Sequence, residues 1–442
     1  MTLDSPRTAP SYVLDWFIHS QVAGSAVLLA STIAAMLWAN SPWADMYFQL
    51  NHTKIGISVG SHTLALSLQH WINDALMVVF FFVVGLEIKR ELVAGHLSSA
   101  RRAILPIAAA IGGMIVPALV YACFNAGGPG AHGWGIPMAT DIAFALGILA
   151  LLGDRVPIGL KVFLTALAIA DDLGAVLVIA LVYTAQIHWL ALAGAGLCLL
   201  LLGGLIRAGV RQPLFYLALA IGVWLAVFKS GIHATVAGVL MAMLVPIRPR
   251  LHPTEFFARV SKGLETLRPA ELTTSSVLTN EAQLDALVRL DDAATDMRPP
   301  GLTLERFLHP VQALFILPLF AFVNAGVSLG AEALQTLAHP VTIGIIAGLV
   351  LGKLVGVSLA SWVAVRSGWA QLPESVTWSQ IVGVGLLAGV GFTMSLFVDE
   401  LAFAEAALRD AAKVGILVAS LTAGALGYLM LKAVLAKRPG PQ

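Results

Sequence analysis

Residues 134–184 decide the fold, and they read WGIPMATDIAFALGILALLGDRVPIGLKVFLTALAIADDLGAVLVIALVYT. Two long apolar runs flank the short polar turn at residues 153–157. The first run carries Asp141 and the second carries Asp171 and Asp172, although segments that cross a bilayer rarely contain acids. Each aspartate at the centre of a membrane helix costs about 2.5–3.5 kcal/mol, so unpaired, unhydrated acids would cost this hairpin roughly 8–10 kcal/mol. The sequence therefore predicts a functional site at this hairpin.

The composition excludes an ordinary soluble protein. The mean hydropathy is +0.86, 58% of the residues are hydrophobic and only 12% are charged, whereas soluble domains contain about 25% charged residues. Apolar runs of about 18 residues or more recur along the chain, which predicts an all-α polytopic membrane protein in a lipid bilayer. A barrel would instead show short alternating segments. The net charge of +1 says nothing about partners, and no basic stripe suggests a nucleic-acid partner.

The chain is expected to form a single integral membrane domain over residues 1–442, with about twelve spans. We predict these spans near residues 23–40, 71–88, 102–124, 134–152, 158–184, 189–206, 213–229, 232–247, 308–329, 339–364, 379–398 and 411–435. Lys and Arg concentrate in the even-numbered connections, which predicts that both termini are cytoplasmic. Cys123 and Cys198 lie inside apolar runs, so we expect small core residues rather than a disulfide or a metal site.

Two connections stand out. Residues 54–68 alternate apolar and polar around a Gly-Ser turn, which predicts an extracytoplasmic β-hairpin. An isolated hairpin is marginally stable, so it either pairs with the hairpin of a second subunit or packs on its own subunit. Residues 248–306 form a long cytoplasmic connection with amphipathic helical spacing. That connection is either a partly ordered loop with short surface helices or a regulatory element.

Spans 4 and 11 have irregular sequences. Span 4 carries Gly135, Pro137 and Thr140 before Asp141, and span 11 is rich in glycine at positions 383, 385, 389 and 391. Glycine in membrane helices often means only close packing. A glycine-interrupted segment in each half of a transporter, however, predicts two broken helices at a site near the midplane.

Asp141, Asp171, Asp172 and Lys353 fall at similar depths in their spans. If the turn at 153–157 marks the cytoplasmic end, Asp141 lies about 20 Å into the bilayer and the adjacent aspartates about 23 Å. Span 10 runs the opposite way, which places Lys353 at about 20 Å from its cytoplasmic end. We therefore expect these ionisable groups to share one layer.

Asp171 and Asp172 point about 100° apart on a helix, so they cannot face the same neighbour. One of them can join Asp141 around a cation while the other meets Lys353. Carboxylate oxygens, Thr140 and freed backbone carbonyls suit a hard cation such as sodium or lithium. If protons compete with that cation for the same oxygens, competition alone gives exchange. The alternative is a structural ion-pair network, but one lysine cannot neutralise three aspartates.

Other charged groups near helix ends carry weaker hypotheses. Anchoring at the interface explains most such residues, and a response to pH is the sharper alternative. The candidates for a response to pH are Glu87, Arg90, Glu91, His233, Glu305 and His309.

Several stretches occur in an informative order: WINDALMVVFFFVVGLEIKRELVAG, MATDIAFALGIL, ALAIADDLGAVLVIA, FKSGIHATVAGVL, LPLFAFVNAGVSLG, LGKLVGVSLASW and GVGFTMSLF. They resemble the bacterial NhaA family of sodium/proton antiporters, and the resemblance covers nearly every span. It implies NhaA-like inverted repeats in spans 3–5 and 10–12, with spans 4 and 11 broken and crossing. The long segment 250–303 departs from the family, in which we expect a much shorter connection.

The resemblance also implies roles for single residues. Asp172 would be the principal cation ligand with Asp141 and Thr140 nearby, and Asp171 would pair with Lys353. The implied activity is electrogenic, pH-activated exchange of sodium or lithium for protons, which is transport rather than enzyme catalysis and needs no cofactor. The implied setting is the bacterial inner membrane, with a homodimer formed through the 54–68 hairpin. A response to pH would involve the six candidates named above.

Three alternatives remain for the function. An intramembrane aspartyl protease is expected to carry a Gly-x-Gly-Asp motif, whereas here Ala-Thr and Ile-Ala precede the acids. A passive cation channel would conduct sodium without requiring protons. A bile-acid-type symporter, or another transporter on a related fold, would lack competition between sodium and protons.

Overall fold

The computed structural model describes residues 21–59, 62–184, 186–210, 212–267, 280–328 and 336–436. Their helices and strands, in chain order, are α1 Gln21–Ala39, α2 Ala44–His52, β1 Lys54–Val59, β2 His62–Ser67, α3 Leu68–Val93, α4 Ala100–Asn125, α5 Ile142–Ala150, α6 Ile158–Val182, α7 Trp189–Arg207, α8 Pro213–Ser230, α9 Thr235–Leu244, α10 Pro253–Thr266, α11 Glu281–Met297, α12 Pro300–Asn324, α13 Pro340–Arg366, α14 Trp378–Leu387, α15 Phe392–Ala402 and α16 Ala406–Ala436. A 3₁₀ segment, Pro129–Met138, precedes α5.

The all-α membrane architecture is confirmed. Within the described residues, 9 helices are long and apolar enough to cross a bilayer. Two further spans are broken, as predicted for spans 4 and 11: the 3₁₀ segment meets α5 at 43° and α14 meets α15 at 48°. Several of the most exposed side chains are leucines, among them Leu181, Leu190 and Leu421, which is the surface that lipid requires.

Three expectations from the sequence need correction. Predicted span 8 was continuous over 232–247, but α9 has only 10 residues and covers about 15 Å. Predicted span 9, at 308–329, begins earlier and ends at Asn324. Cys123 is exposed on the lipid-facing side of α4 rather than in the core, and Cys198 is half-buried; both thiols are free.

The helices form two groups. In one group, α4 to α6 and α13 to α16 pack together with the 3₁₀ segment. In the other group, α1, α3, α7, α8, α9 and α12 pack together. The groups meet between α1 and α5, α3 and α6, and α12 and α15. Within the first group, Gly112 of α4 faces Gly356 of α13 so closely that a Cβ on either would collide with the other's carbonyl. Such contacts between small residues are typical of membrane helices.

Two elements lie outside the bundle of spans. Strands β1 and β2 pair antiparallel from Lys54 opposite Ser67 to Val59 opposite His62, and the turn between them lies outside the described residues. Helices α10 and α11 pack against each other, with Leu290 lying against Gly263. Part of the predicted 248–306 connection, residues 268–279, also lies outside the described residues.

Candidate functional site

The two broken spans cross at Asp141. This residue has extended backbone and caps α5, where its Oδ1 accepts the Phe144 amide at 3.0 Å. Its Oδ2 accepts both the backbone amide and the hydroxyl of Thr393, at 3.1 and 2.5 Å, at the start of α15. Because helix N-termini carry partial positive charge, the Asp141 carboxylate lies where two short helices both favour an anion.

The breaks leave some backbone groups without a hydrogen-bond partner in their own helix, and the other broken span supplies that partner. The Asp141 amide donates to the Val390 carbonyl at 2.7 Å, and the Ser395 hydroxyl donates to the Ile136 carbonyl at 2.8 Å. Gly389 lies here without a side chain, since a Cβ would collide with the Leu349 carbonyl of α13. Irregular backbone at membrane depth is tolerated because the protein itself supplies these hydrogen bonds.

Asp171 and Lys353 form a buried ion pair. The Lys353 Nζ lies 2.5 Å from the Asp171 Oδ2, and both side chains have 0% exposure. The Thr140 hydroxyl lies 2.8 Å from the same Oδ2 and 2.9 Å from the Ala388 carbonyl. With one hydrogen, that hydroxyl donates to one of the two oxygens at a time. Asp171 is therefore bound within the protein rather than open to a cavity.

Asp172 faces a different environment from its neighbour. It is buried, and its Oδ1 has no hydrogen-bond partner in the described part of the chain. Together with Asp141 and Thr393 it lines a cavity of about 610 Å³. The carboxylates of Asp171, Glu87 and Asp141 repel a charge on Asp172, and Lys353 attracts it.

The same cavity extends to a charged cluster at the C-terminal end of α3 and the start of α12. The Arg90 guanidinium pairs with the Glu305 carboxylate at 2.5 Å. Glu87, Arg306 and His309 line the cavity beside this pair. One water-accessible space thus connects the buried aspartates to a titratable cluster.

The structure does not bring every predicted site residue to this cavity. Thr140 bonds to Asp171 and does not line the cavity that Asp141 and Asp172 share, so its expected role beside the cation stays a prediction. Glu91 bonds instead to the backbone amide of His96 and closes the end of α3. His233 packs edge-on against the Phe397 ring at 5.8 Å, before α9, and does not line the cavity.

Thr393 is the functional candidate that the sequence analysis did not select. Its hydroxyl bonds to Asp141 and faces the cavity. The sequence does contain a signal for Thr393. This residue follows the glycine-rich stretch of span 11, just as Thr140 follows Gly135 and Pro137 in span 4. Sequence spacing alone did not show that the second threonine, and not the first, would lie beside the cavity.

The cavity offers oxygen ligands rather than a preformed metal cluster. Among the described residues, no group of three or more His, Cys, Asp or Glu side chains converges to hold a metal ion. The Asp141 and Asp172 carboxylates and the Thr393 hydroxyl would need water or carbonyl oxygens to complete the shell of a hard cation. The same carboxylates can hold protons instead, so the site can accept either occupant.

Comparisons with known proteins identify the family of the chain. A family model described as Na+/H+ antiporter 1 matches residues 15–431. The Na(+)/H(+) antiporter NhaA of Oleidesulfovibrio alaskensis is 47% identical over 424 residues, which are 96% of this chain and 94% of that protein. The Na(+)/H(+) antiporter NhaA of Bordetella parapertussis is 46% identical, over 97% of this chain and 98% of its own length.

The lengths of these relatives bear on segment 250–303. Since one alignment covers 96% of this chain and 94% of the Oleidesulfovibrio alaskensis protein, the two chains are of nearly equal length. That relative is therefore long enough to contain a connection of similar length.

Proposed function

The chain belongs to the Na+/H+ antiporter 1 family, and on that premise we propose that it is a secondary transporter that exchanges sodium for protons across a membrane. It expels sodium, or lithium, from the cytoplasm while protons enter. The setting is the bacterial inner membrane, with both termini cytoplasmic.

Asp172 and Asp141 hold the transported sodium, and protons displace it from the same oxygens. One observation carries this assignment: these two carboxylates line one 610 Å³ cavity with Thr393, whereas Asp171 is occupied by Lys353. Two protons neutralise the buried pair of carboxylates and one sodium ion halves its charge, so either occupant favours reorientation, while the empty, doubly charged site resists it. Competition combined with alternating access then gives antiport without a channel.

The exchange is electrogenic. Two carboxylates that each release a proton to admit one sodium ion move one net charge in each cycle. The Asp171–Lys353 pair balances its own charge, so it does not alter this count. A membrane potential therefore acts directly on the transport rate.

Exchange is activated by pH through the charged cluster at the cavity mouth, which is the end of the cavity lined by the exposed residues Arg306 and His309. Glu87, Arg90, Glu305 and His309 support this role because they line the same cavity as Asp172. Changes in the protonation of Glu87, Glu305 and His309, beside the permanently charged Arg90, alter the field that an entering cation meets. Glu91 and His233 are weaker candidates, because they contact other parts of the protein.

Two copies of the chain associate through the hairpin of β1 and β2, on the extracytoplasmic side. A two-stranded hairpin is marginally stable alone, and pairing with a second hairpin would lengthen the sheet. The strand pairing from Lys54 to Ser67 supports this association.

Everted membrane vesicles test the proposed function. Added sodium should dissipate an acid interior and restore the fluorescence of a pH probe. Asp172→Asn should reduce this response to the level of vesicles that lack the protein, while the control Asp154→Asn, at an exposed turn, should keep it. Exchange that survives in Asp172→Asn would exclude the role given to Asp172.

A further inference from the structure

A further buried acid, Asp399, lies in α15 outside the cavity described above. It has 0% exposure, and neither of its carboxylate oxygens has a hydrogen-bond partner among the described residues. Asp141 and Asp171, by contrast, both accept hydrogen bonds from side chains. A buried carboxylate without donors keeps its charge only at a high cost in free energy, which a bound proton or cation removes.

The neighbouring Glu400, and not Asp399, forms ion pairs with the nearby basic side chains. The Lys413 Nζ and the Arg409 guanidinium each lie 3.1 Å from the Glu400 carboxylate, which also accepts the Gln69 amide at 3.2 Å. The charged or titratable groups whose fields couple to Asp399 are Glu400, Arg409, Asp410, Lys413, Tyr121 and Tyr183. Both tyrosine hydroxyls donate elsewhere, to the Gly130 and His132 carbonyls.

These neighbours favour a proton over a metal cation as the occupant. A hard cation requires several oxygen ligands, and the adjacent Glu400 carboxylate is already held by Lys413 and Arg409. The positive charges of Lys413 and Arg409 oppose a proton as well as a metal cation, so they do not decide between the two. A proton, in contrast, needs a single carboxylate oxygen.

Asp399 lies on the side of the site opposite the cavity mouth. Its neighbour Glu400 bonds to Gln69 near the start of α3, whereas the mouth is lined by Glu87 near the end of α3. These two levels of α3 are about 27 Å apart. Along α15, Asp399 is about 9 Å beyond Thr393, which bonds to Asp141.

We infer that Asp399 is a proton-binding residue that passes protons between the Asp141–Asp172 site and the membrane face opposite the cavity mouth. This inference rests on the proposed antiport. In each transfer the Asp399 carboxylate accepts a proton from water on that face and gives it to a vacant carboxylate of the site, so that Asp399 returns to its starting state.

Infrared spectroscopy and transport test this inference together. Difference spectra of the full-length protein in lipid, recorded between two pH values, should show the carbonyl band of a protonated acid that is lost in Asp399→Asn. The matched control Asp410→Asn removes an exposed acid of the same cluster and should keep the band. In proteoliposomes Asp399→Asn should slow sodium-driven proton movement about tenfold or more, most strongly when protons are scarce on the face opposite the mouth.

Each outcome decides a different point. A difference spectrum unchanged in Asp399→Asn would show that Asp399 holds no exchangeable proton and would overturn the inference. Loss of the band with an unchanged rate would exclude the relay. If the unaltered protein fails to exchange sodium for protons, the proposed antiport fails, and the infrared band still decides whether Asp399 binds a proton. Asp399→Leu provides the same test if the amide variant does not fold.

Discussion

The Asp171–Lys353 pair shows how one helix separates two adjacent acids. Neighbouring helical residues point about 100° apart, so the sequence predicted that only one of the two aspartates would meet the lysine. Asp171 lies against Lys353, and Asp172 lines the cavity. That division followed from helix geometry, and the family resemblance indicated which aspartate takes which role.

Asp171→Asn should destabilise the protein. It leaves the buried Lys353 ammonium without its carboxylate, which costs about 3–5 kcal/mol, so the thermal unfolding temperature of the purified protein in detergent should fall clearly. The double variant Asp171→Asn/Lys353→Met should recover much of the loss, because no buried charge remains. Equal unfolding temperatures for Asp171→Asn and the control Asp154→Asn would contradict the pair's role in stability.

Thr393→Val should weaken sodium binding. The variant keeps the backbone amide that donates to Asp141 but removes the hydroxyl, a loss of about 1–3 kcal/mol for a bond to a charged group. The apparent KM for sodium should rise by about tenfold at constant pH. Thr422→Val is the matched control, since that exposed hydroxyl bonds only to its own helix. The same KM in both variants would count against Thr393 as part of the site.

The sequence did not predict where the Thr140 side chain lies. Its position next to Asp141 in the sequence suggested a shared ligand role, yet its hydroxyl lies beside Asp171 and the Ala388 carbonyl. The backbone around Thr140 is extended, so helical periodicity does not apply to its side chain. Its direction depends on how the two breaks cross, which spacing within one span cannot reveal.

The broken spans were predictable as elements because glycine and proline interrupt both apolar runs. The short helix α9 was not, since residues 232–247 are mostly apolar apart from His233 and Thr235, and hydropathy does not distinguish a helix from the turn before it. The π-helical turns at Trp71–Leu76 in α3 and Ala347–Gly352 in α13 were also unforeseen. Hydropathy and interruptions by glycine or proline do not mark such turns.

Gly356→Ala should destabilise the crossing of α4 and α13. A Cβ there would collide with the Gly112 carbonyl, and overpacking of this kind costs about 1–3 kcal/mol. Exchange activity should also fall, because α13 holds Lys353 against Asp171. Gly196→Ala in α7, where a Cβ meets nothing within 4 Å, should be neutral or slightly stabilising. Equal thermal unfolding temperatures for the two variants would show that the close contact between α4 and α13 does not limit stability.

The whole molecule is asymmetric across the membrane. One cavity joins Asp141 and Asp172 to the cluster around Glu305, while the opposite side contains the buried acid Asp399 and the bonded set of Gln69, Asn324 and Glu400. On that side Asn324 of α12 is joined to α3 by hydrogen bonds with Asn73 and Gln69. The sequence did not predict the cavity, because helices distant in the chain build its walls.

Removal of α10 and α11 should leave the pH profile of exchange unchanged. The Arg250 amide donates to the Asp296 carbonyl at 3.0 Å, so the ends of this helical pair meet and residues 252–296 can be excised with a direct join. The Arg90–Glu305 pair lies outside the deleted segment and remains intact. A shift of about one pH unit or more in half-maximal exchange would instead make the pair a regulatory element.

Sodium binding to the purified full-length protein, measured by calorimetry across a range of pH, tests most directly whether sodium and protons compete for Asp172 and Asp141. The apparent Kd should rise about tenfold per unit fall in pH for each proton displaced, and the binding heat should vanish in Asp172→Asn. A Kd that stays constant as the pH falls would contradict competition at these carboxylates.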